Sequence, residues 1–286
     1  MAKPQKIIVL GGGTAGWMAA CLLNHAWGAT ETPTQVTVIE SSDIETVGVG
    51  EGSTPYMRQF FRTLGIAESQ WMPACNATYK CGISFPEWSG KTSAPSYFHP
   101  FFSQLDLKPA DNFFSSCNKR RRGKSIACHP DDYFVAATLA RKKRAPIALE
   151  ELGFEHDYAY HFDAGLLAAF LKRFAKERGV EHIVDTVTEV VKVDAQTIEH
   201  LKTESHGSLH ADLFFDCSGF ASVLIGKALK QPFISYADTL FNDSAVAIPT
   251  ALEDDDALPS ETVSIAASSG WMWKLSLIHI SEPTRR

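Results

Sequence analysis

No two of the six cysteines (Cys21, Cys75, Cys81, Cys117, Cys128 and Cys217) have the C-x-x-C spacing of a zinc or thiol-redox motif. They read as free thiols, and no metal site is expected. Apolar runs are equally short: none approaches the roughly 18 residues that cross a bilayer as a helix. Positive charge is not in excess either, with 27 Lys and Arg against 33 Asp and Glu and a net charge of −6. That balance argues against nucleic-acid or anionic-membrane binding by the chain as a whole. Met1 is followed within six residues by the apolar run Ile7-Ile8-Val9-Leu10, which leaves no space for a cleavable leader, so a cytoplasmic location is expected. Apolar material is abundant, at 45% of 286 residues, enough to build one large or two modest domains.

The first forty residues carry the clearest pattern. A short buried strand over 6–10 runs into Gly11-Gly12-Gly13-Thr14-Ala15-Gly16 and then into a small-residue helix from Trp17 to Leu23. Strand, G-x-G-x-x-G and helix in this order form a dinucleotide-binding fingerprint. Gly11 allows the tight turn, Gly13 lets backbone approach a pyrophosphate, and Gly16 allows close helix–strand packing. The helix N-terminus, at Thr14 and Ala15, offers N–H groups to phosphate. A second strand, Val36 to Ile39, ends in Glu40, placed to accept hydrogen bonds from a ribose diol. Ala26 to Thr34, rich in Gly, Thr and Pro, reads as a loop between them.

A β-rich run over 184–193, a polar turn at Ser205-His206-Gly207-Ser208 and a final strand ending Asp216-Cys217-Ser218-Gly219 complete the pattern. An N-terminal fingerprint whose sheet is closed by a distant A-D-L-(apolar)₂-D-x-S-G strand resembles FAD-dependent monooxygenases, which favours FAD over NAD. The expected fold is α/β: an FAD-binding, Rossmann-like domain of the GR2, flavin-monooxygenase-like type with inserted substrate-domain elements. Leu166 to Arg178 has helical spacing of its apolar residues and reads as core.

Seven further stretches narrow the resemblance. They are Gly11 to Trp17; Val47-Gly48-Val49-Gly50-Glu51-Gly52-Ser53-Thr54-Pro55; Asn76-Ala77-Thr78-Tyr79-Lys80; Tyr160-His161-Phe162-Asp163-Ala164; Asp216 to Phe220; Asn242-Asp243-Ser244-Ala245; and Gly270-Trp271-Met272-Trp273-Lys274. Together they are similar to the flavin-dependent tryptophan halogenase family over residues 5–274. The resemblance implies reduced FAD delivered by a separate flavin reductase, with dioxygen and chloride or bromide giving hypohalous acid. A lysine between flavin and substrate then passes the oxidised halogen to tryptophan, another indole or an electron-rich aromatic. Lys80 occupies the matching position.

Several of these residues have a second reading. A lysine after an aromatic is more often solvated, but the apolar flanks of Lys80 impose a desolvation cost that lowers an amine's pKa, as a reacting amine requires. The resemblance places Val49, Gly50 and Glu51 in a loop over the isoalloxazine and the backbone of Val187 at the adenine; a plain surface turn is the alternative for the loop. Tyr97-Phe98-His99-Pro100-Phe101 resembles a Y-H-x-F stretch whose histidine and aromatic wall the substrate, with Phe98 as an extra residue. His99 reads equally as a satisfied loop residue, and Phe101 as a ring that stacks on substrate. Trp271 and Trp273 point the same way on a strand. They are either core aromatics or a screen that separates substrate from flavin, and both readings expect burial. Lys119–Arg122 and Arg141–Arg144 read as a polyanion site, a solvated face or an approach route for anions.

From Leu275 to Arg286 the chain looks like a translated sequencing adapter, so the expected division is 1–274 as the halogenase part and 275–286 as a non-native tail. The family's glutamate partner for the lysine, along with further flavin, halide and substrate contacts, is expected beyond 274. The chain as written is accordingly expected to be inactive. An FAD aromatic monooxygenase, a non-catalytic flavin-binding fragment and a Rossmann-type NAD protein are the competing readings.

Overall fold

The computed structural model describes residues 4–44, 49–89, 96–148, 156–240, 242–248 and 258–276. They form two compact units, one from residues 1–49 and 164–244, the other from 50–163 and 245–286. The first opens with β1 (Lys6–Leu10), α1 (Thr14–Trp27) and β2 (Gln35–Glu40). The chain then enters the second unit through β3 (Gly50–Gly52), α2 (Tyr56–Leu64), α3 (Glu68–Trp71), β4 (Thr78–Lys80), β5 (Gly82–Pro86), β6 (Ser96–Pro100), α4 (Leu107–Arg121), α5 (Val135–Arg141) and β7 (Ala159–Asp163). It returns to the first with α6 (Ala164–Lys176), β8 (Glu181–Val184), β9 (Val187–Lys192), β10 (Ile198–Thr203), β11 (Gly207–His210) and β12 (Leu213–Asp216). Strands β13 (Thr262–Ala267) and β14 (Gly270–Lys274) belong to the second unit.

In the first unit a parallel sheet runs β12-β1-β2-β8. Its central strands are almost continuously apolar, as strands covered on both faces must be. Ile7, Val9, Val36, Val38 and Ile39 are all buried, each worth roughly 2 kcal/mol in removed apolar surface. Helix α1 packs against α6, with the Cys21 thiol donating to the Leu171 carbonyl and Trp17, Ala20, Leu167 and Leu171 buried. The distant strand expected to close the sheet is β12, which pairs in register with β1 from Ile7↔Leu213 to Leu10↔Asp216.

One expectation needs correction: the β-rich run over 184–193 is two strands in two sheets. β8 ends the parallel sheet, and β9 begins an antiparallel meander with β10 and β11. Asp185 makes the break. Its carboxylate accepts the N–H groups of Thr186, Ser205 and His206, taking the chain out of one ladder and pinning the turn of the next. Gly207, at φ 71°, closes that turn.

The second unit contains the sheets β3-β7-β4 and β14-β13-β5-β6. Helix α2 is buried at Met57, Phe60, Phe61 and Leu64, the i, i+3, i+4, i+7 stripe of an amphipathic helix, and it ends on left-handed Gly65. Phe61 stacks on Trp71 with centroids 4.1 Å apart. Both basic clusters fall at helix C-termini, in the last turns and exits of α4 and α5, where exposed cations meet the negative end of the dipole. This placement suits a solvated face.

All six cysteines are free. No described helix is long and apolar enough to cross a membrane, and among the described residues no group of three or more His, Cys, Asp or Glu would hold a metal.

Candidate active site

In the first unit the glycine turn lies between the ends of β1, β2 and β12. The Gly11 amide donates to the Ile39 carbonyl at 2.8 Å, and the Cys217 amide donates to the Leu10 carbonyl at 2.8 Å. Gly11 has φ +117°, and a Cβ there would lie 2.2 Å from the Cys217 carbonyl oxygen. A Cβ on Gly16 would lie 1.9 Å from the Gly11 carbonyl oxygen. Both positions therefore require glycine for packing as well as for conformation. Helix α1 begins at Thr14 after Gly13, with no side-chain cap and no acidic residue in its first turn. Its first amides and the positive end of its dipole are left for an anion. Thr14 does not cap; its hydroxyl donates to the Ala164 carbonyl at 3.0 Å. Ala15 is exposed.

Glu40 ends β2 as expected, but it has protein partners. Lys172 of α6 donates to its carboxylate, and His182 of β8 lies 2.8 Å from the same oxygen. The other oxygen hangs over the glycine turn, where a Cβ on Gly12 would meet it at 1.5 Å. Burial and the Lys172 charge hold the His182 imidazole below its ordinary pKa, so it serves Glu40 as a neutral partner. Val187 is half-buried against the core of Ile8, Leu10, Ile39, Leu201 and Leu224. Asp216 caps the π-helical turn that follows it, accepting from the Leu224 and Ile225 amides at 2.8 and 2.9 Å. Burial would raise its carboxyl, but these bonds and the one from Ser218 hold it below the usual carboxylate range.

The expected loop over 47–55 is partly a strand. Residues 45–48 lie outside the described residues. Val49 is exposed, its carbonyl accepting from the Ala164 amide, while Gly50 and Glu51 belong to β3 and pair with Asp163 and Phe162 of β7. Partial burial raises the Glu51 carboxyl above its ordinary value.

In the second unit Lys80 is 5% exposed at the end of β4. Its amine donates to the Ser53 carbonyl at 3.2 Å and lies 5.6 Å from the centre of the Phe101 ring. Burial lowers its pKa to about 8. Among the described residues no carboxylate forms an ion pair with it, so loss of the proton is the low-cost response to burial. His161 of β7 and Thr262 of β13 stand beside it: a Cβ on Gly52 would lie 3.1 Å from the amine, 3.2 Å from the His161 ring and 3.4 Å from the Thr262 hydroxyl. The opposite face of the same sheet is anchored by Glu68, which accepts the hydroxyls of Tyr79, Tyr158 and Tyr160 at 2.8, 2.6 and 2.6 Å. Lys80 therefore follows a residue tied down by hydrogen bonding and sits on a strand that cannot easily slide.

Of the two substrate-wall candidates only Phe101 comes near Lys80. His99 is exposed on β6, opposite Ile83, while Phe98 between Tyr97 and His99 points into the core. Trp271 and Trp273 share a face of β14 with rings 5.8 Å apart, as their spacing requires. They are not buried, being 41% and 65% exposed, because among the described residues β14 is an edge strand with only β13 beside it. Of the suggested tail, the Ser276 carbonyl accepts the Thr78 hydroxyl, and residues 277–286 lie outside the described residues. The sequence left Lys172 and His182 without a site role, and likewise Gly52, Ser53, His161 and Thr262. Gly52, Ser53 and His161 stood inside marked stretches; Lys172, His182 and Thr262 did not.

The model of the tryptophan halogenase family matches residues 6–282. The chain belongs to this family. Its relatives include the tryptophan 6-halogenase of Streptomyces toxytricini, 40% identical across 96% of the chain, and the tryptophan 7-halogenase of Lentzea aerocolonigenes, 38% identical across 96%. The alignments cover 56% and 54% of those proteins, so the chain spans about half the length of the curated relatives it matches. Among solved structures, a tryptophan halogenase from Shewanella frigidimarina superposes with a TM-score of 0.85 at 32% identity, over 97% of this chain and 55% of that one.

Proposed function

We propose that this halogenase-family chain takes part in flavin-dependent halogenation of tryptophan or a similar electron-rich aromatic, with Lys80 as the amine that handles the oxidised halogen. The observation that carries the reading is Lys80 itself: a buried amine with no carboxylate partner among the described residues, held with a pKa of about 8 beside an aromatic ring.

The glycine turn fits an FAD pyrophosphate, because side chains are excluded at Gly11, Gly12 and Gly16 and the α1 amides are uncapped. Glu40 would bind the ribose through the oxygen not engaged by Lys172, and the Val187 backbone would meet the adenine. Val49, Gly50 and Glu51 would lie against the isoalloxazine. When bound and reduced by a separate flavin reductase, FAD supplies the two electrons with which dioxygen oxidises chloride or bromide to hypohalous acid. Lys80 then acts through Nζ. With its proton lost, the nitrogen lone pair receives or orients the electrophilic halogen; with the proton kept, the site is a cation held by the Ser53 carbonyl. Phe101 supports the amine from one side and offers a ring face to an aromatic substrate. Trp271 and Trp273 would screen the organic substrate from the flavin, leaving only the small halogen species to pass.

The test is product analysis. The full-length protein that carries this chain, supplied with reduced FAD, dioxygen, bromide and tryptophan or indole, is expected to give a monobrominated product that disappears when bromide is omitted. An oxygenated product formed without halide would move the chain to the aromatic monooxygenase reading.

A further inference from the structure

Trp17 directly follows the last glycine of the fingerprint, and its indole is fully buried. Two side chains share its ring. The His182 ring meets it edge-on with centroids 5.4 Å apart, and the Lys172 amine lies 5.9 Å from its centre. Both then turn to one oxygen of Glu40: the Lys172 amine donates to Oε1, and His182 Nε2 lies 2.8 Å from the same atom. The tautomer of His182 follows. Burial first, and then the Lys172 charge, holds its pKa below the ordinary value, so near pH 7 the ring carries one proton. A carboxylate paired with a lysine only accepts, which places that proton on Nε2. Oε1 is therefore fixed from two elements, α6 and β8. Oε2 has no hydrogen-bond partner among the described residues and occupies the place that a Cβ on Gly12 would take, above the glycine turn.

We propose that Lys172 and His182 are positioning residues for the adenosine ribose of FAD: by engaging one oxygen of Glu40 they hold the other over the glycine turn, where it accepts the ribose hydroxyls. The inference rests on the reading of Glu40 as the ribose acceptor. A glutamate side chain has three free torsions and two equivalent oxygens, so an unheld carboxylate loses rotamer freedom when it binds a ligand. Two donors on Oε1 remove that freedom at folding and leave only Oε2 to the ligand. The two donors differ in charge, and each has its own part. Glu40 stands beside a turn read as a pyrophosphate site, where its negative charge repels phosphate. The Lys172 ammonium offsets that charge, while neutral His182 adds a directional bond without a further charge. Trp17 backs both donors and so joins the fingerprint helix to the acid at the end of β2.

The experiment compares FAD with an FAD whose adenosine ribose lacks both hydroxyls, by fluorescence titration of the full-length protein that carries this chain, with no turnover needed. Wild type is expected to bind FAD about tenfold more tightly than the analogue, the worth of a hydrogen bond to a charged acceptor. In Lys172→Met and in His182→Phe the preference is expected to fall to about threefold or less, because Glu40 is no longer held. His182→Gln, whose amide donates near the place of Nε2, is expected to keep the preference close to that of wild type. A purely structural role weakens both ligands alike and leaves their ratio unchanged. Variants that keep the wild-type ratio therefore overturn the proposal, whatever their absolute affinity. If Lys172→Met fails to fold, His182→Phe against His182→Gln decides it in the same way. Equal binding of the two ligands by wild type would refute Glu40 as the ribose acceptor and the proposal with it, whereas a wild-type preference that survives in the variants refutes the positioning role alone.

Discussion

The glycine turn proposed to hold flavin pyrophosphate in the first unit is made of backbone, while the lysine site in the second is made of side chains. At Gly11 and Gly16 what matters is the absence of atoms, since a single Cβ would run into a carbonyl oxygen. At Lys80 what matters is which side chains arrive: Phe101 from beyond β6, His161 from β7 and Thr262 from β13 come from segments far apart in the chain. A backbone site tolerates no added volume but is indifferent to proton occupancy. A side-chain site tolerates local change in volume but depends on the protonation of one group.

The sharpest break in this contrast is Gly11→Ala. A positive φ and a Cβ 2.2 Å from a carbonyl oxygen together are expected to cost about 2–4 kcal/mol and to abolish flavin binding. Urea unfolding and flavin fluorescence titration measure the two effects. Next is Lys80→Met, which probes the proton. Between about 8 and 10.5 the unfolded chain holds a proton that folded Lys80 has lost, so wild-type stability should rise with pH across that window. The methionine variant should lack that rise and be more stable than wild type at pH 7 by roughly 1–3 kcal/mol; unfolding curves at pH 7 and pH 10 give the comparison. Glu40→Gln keeps the shape but removes the charge that engages Lys172, and is expected to weaken FAD binding about tenfold. The smallest effect on stability is expected at Trp273→Ala. With its ring 65% exposed, the change should stay within about 0.5 kcal/mol by thermal unfolding.

The same contrast explains what could be read from the sequence. Backbone sites leave local signatures, because a positive φ or a close approach demands glycine at that position; the turn from Gly11 to Gly16, α1, β2 and the closing strand through Asp216 were all legible. Strand breaks made by a side chain were not: nothing in the apolar alternation over 184–193 announces that Asp185 will capture three amides and split it. Lys80 was found through its stretch, and Gly52 and Ser53 stood in another, but their closeness to Lys80 was not legible and Thr262 was missed altogether, because that closeness depends on β3, β4, β7 and β13 coming together. Period-two alternation correctly put Trp271 and Trp273 on one face. It carries no information about whether another element covers that face, which is why their burial was misjudged.

The most direct test of the central claim is to measure flavin affinity and halogenation side by side in wild type and Lys80→Ala of the full-length protein that carries this chain. If the cradle is backbone in one unit and the halogen-handling amine a side chain in the other, the variant binds FAD within about twofold of wild type and forms brominated product at least about a hundredfold more slowly. Undiminished bromination with Lys80 gone would contradict the account.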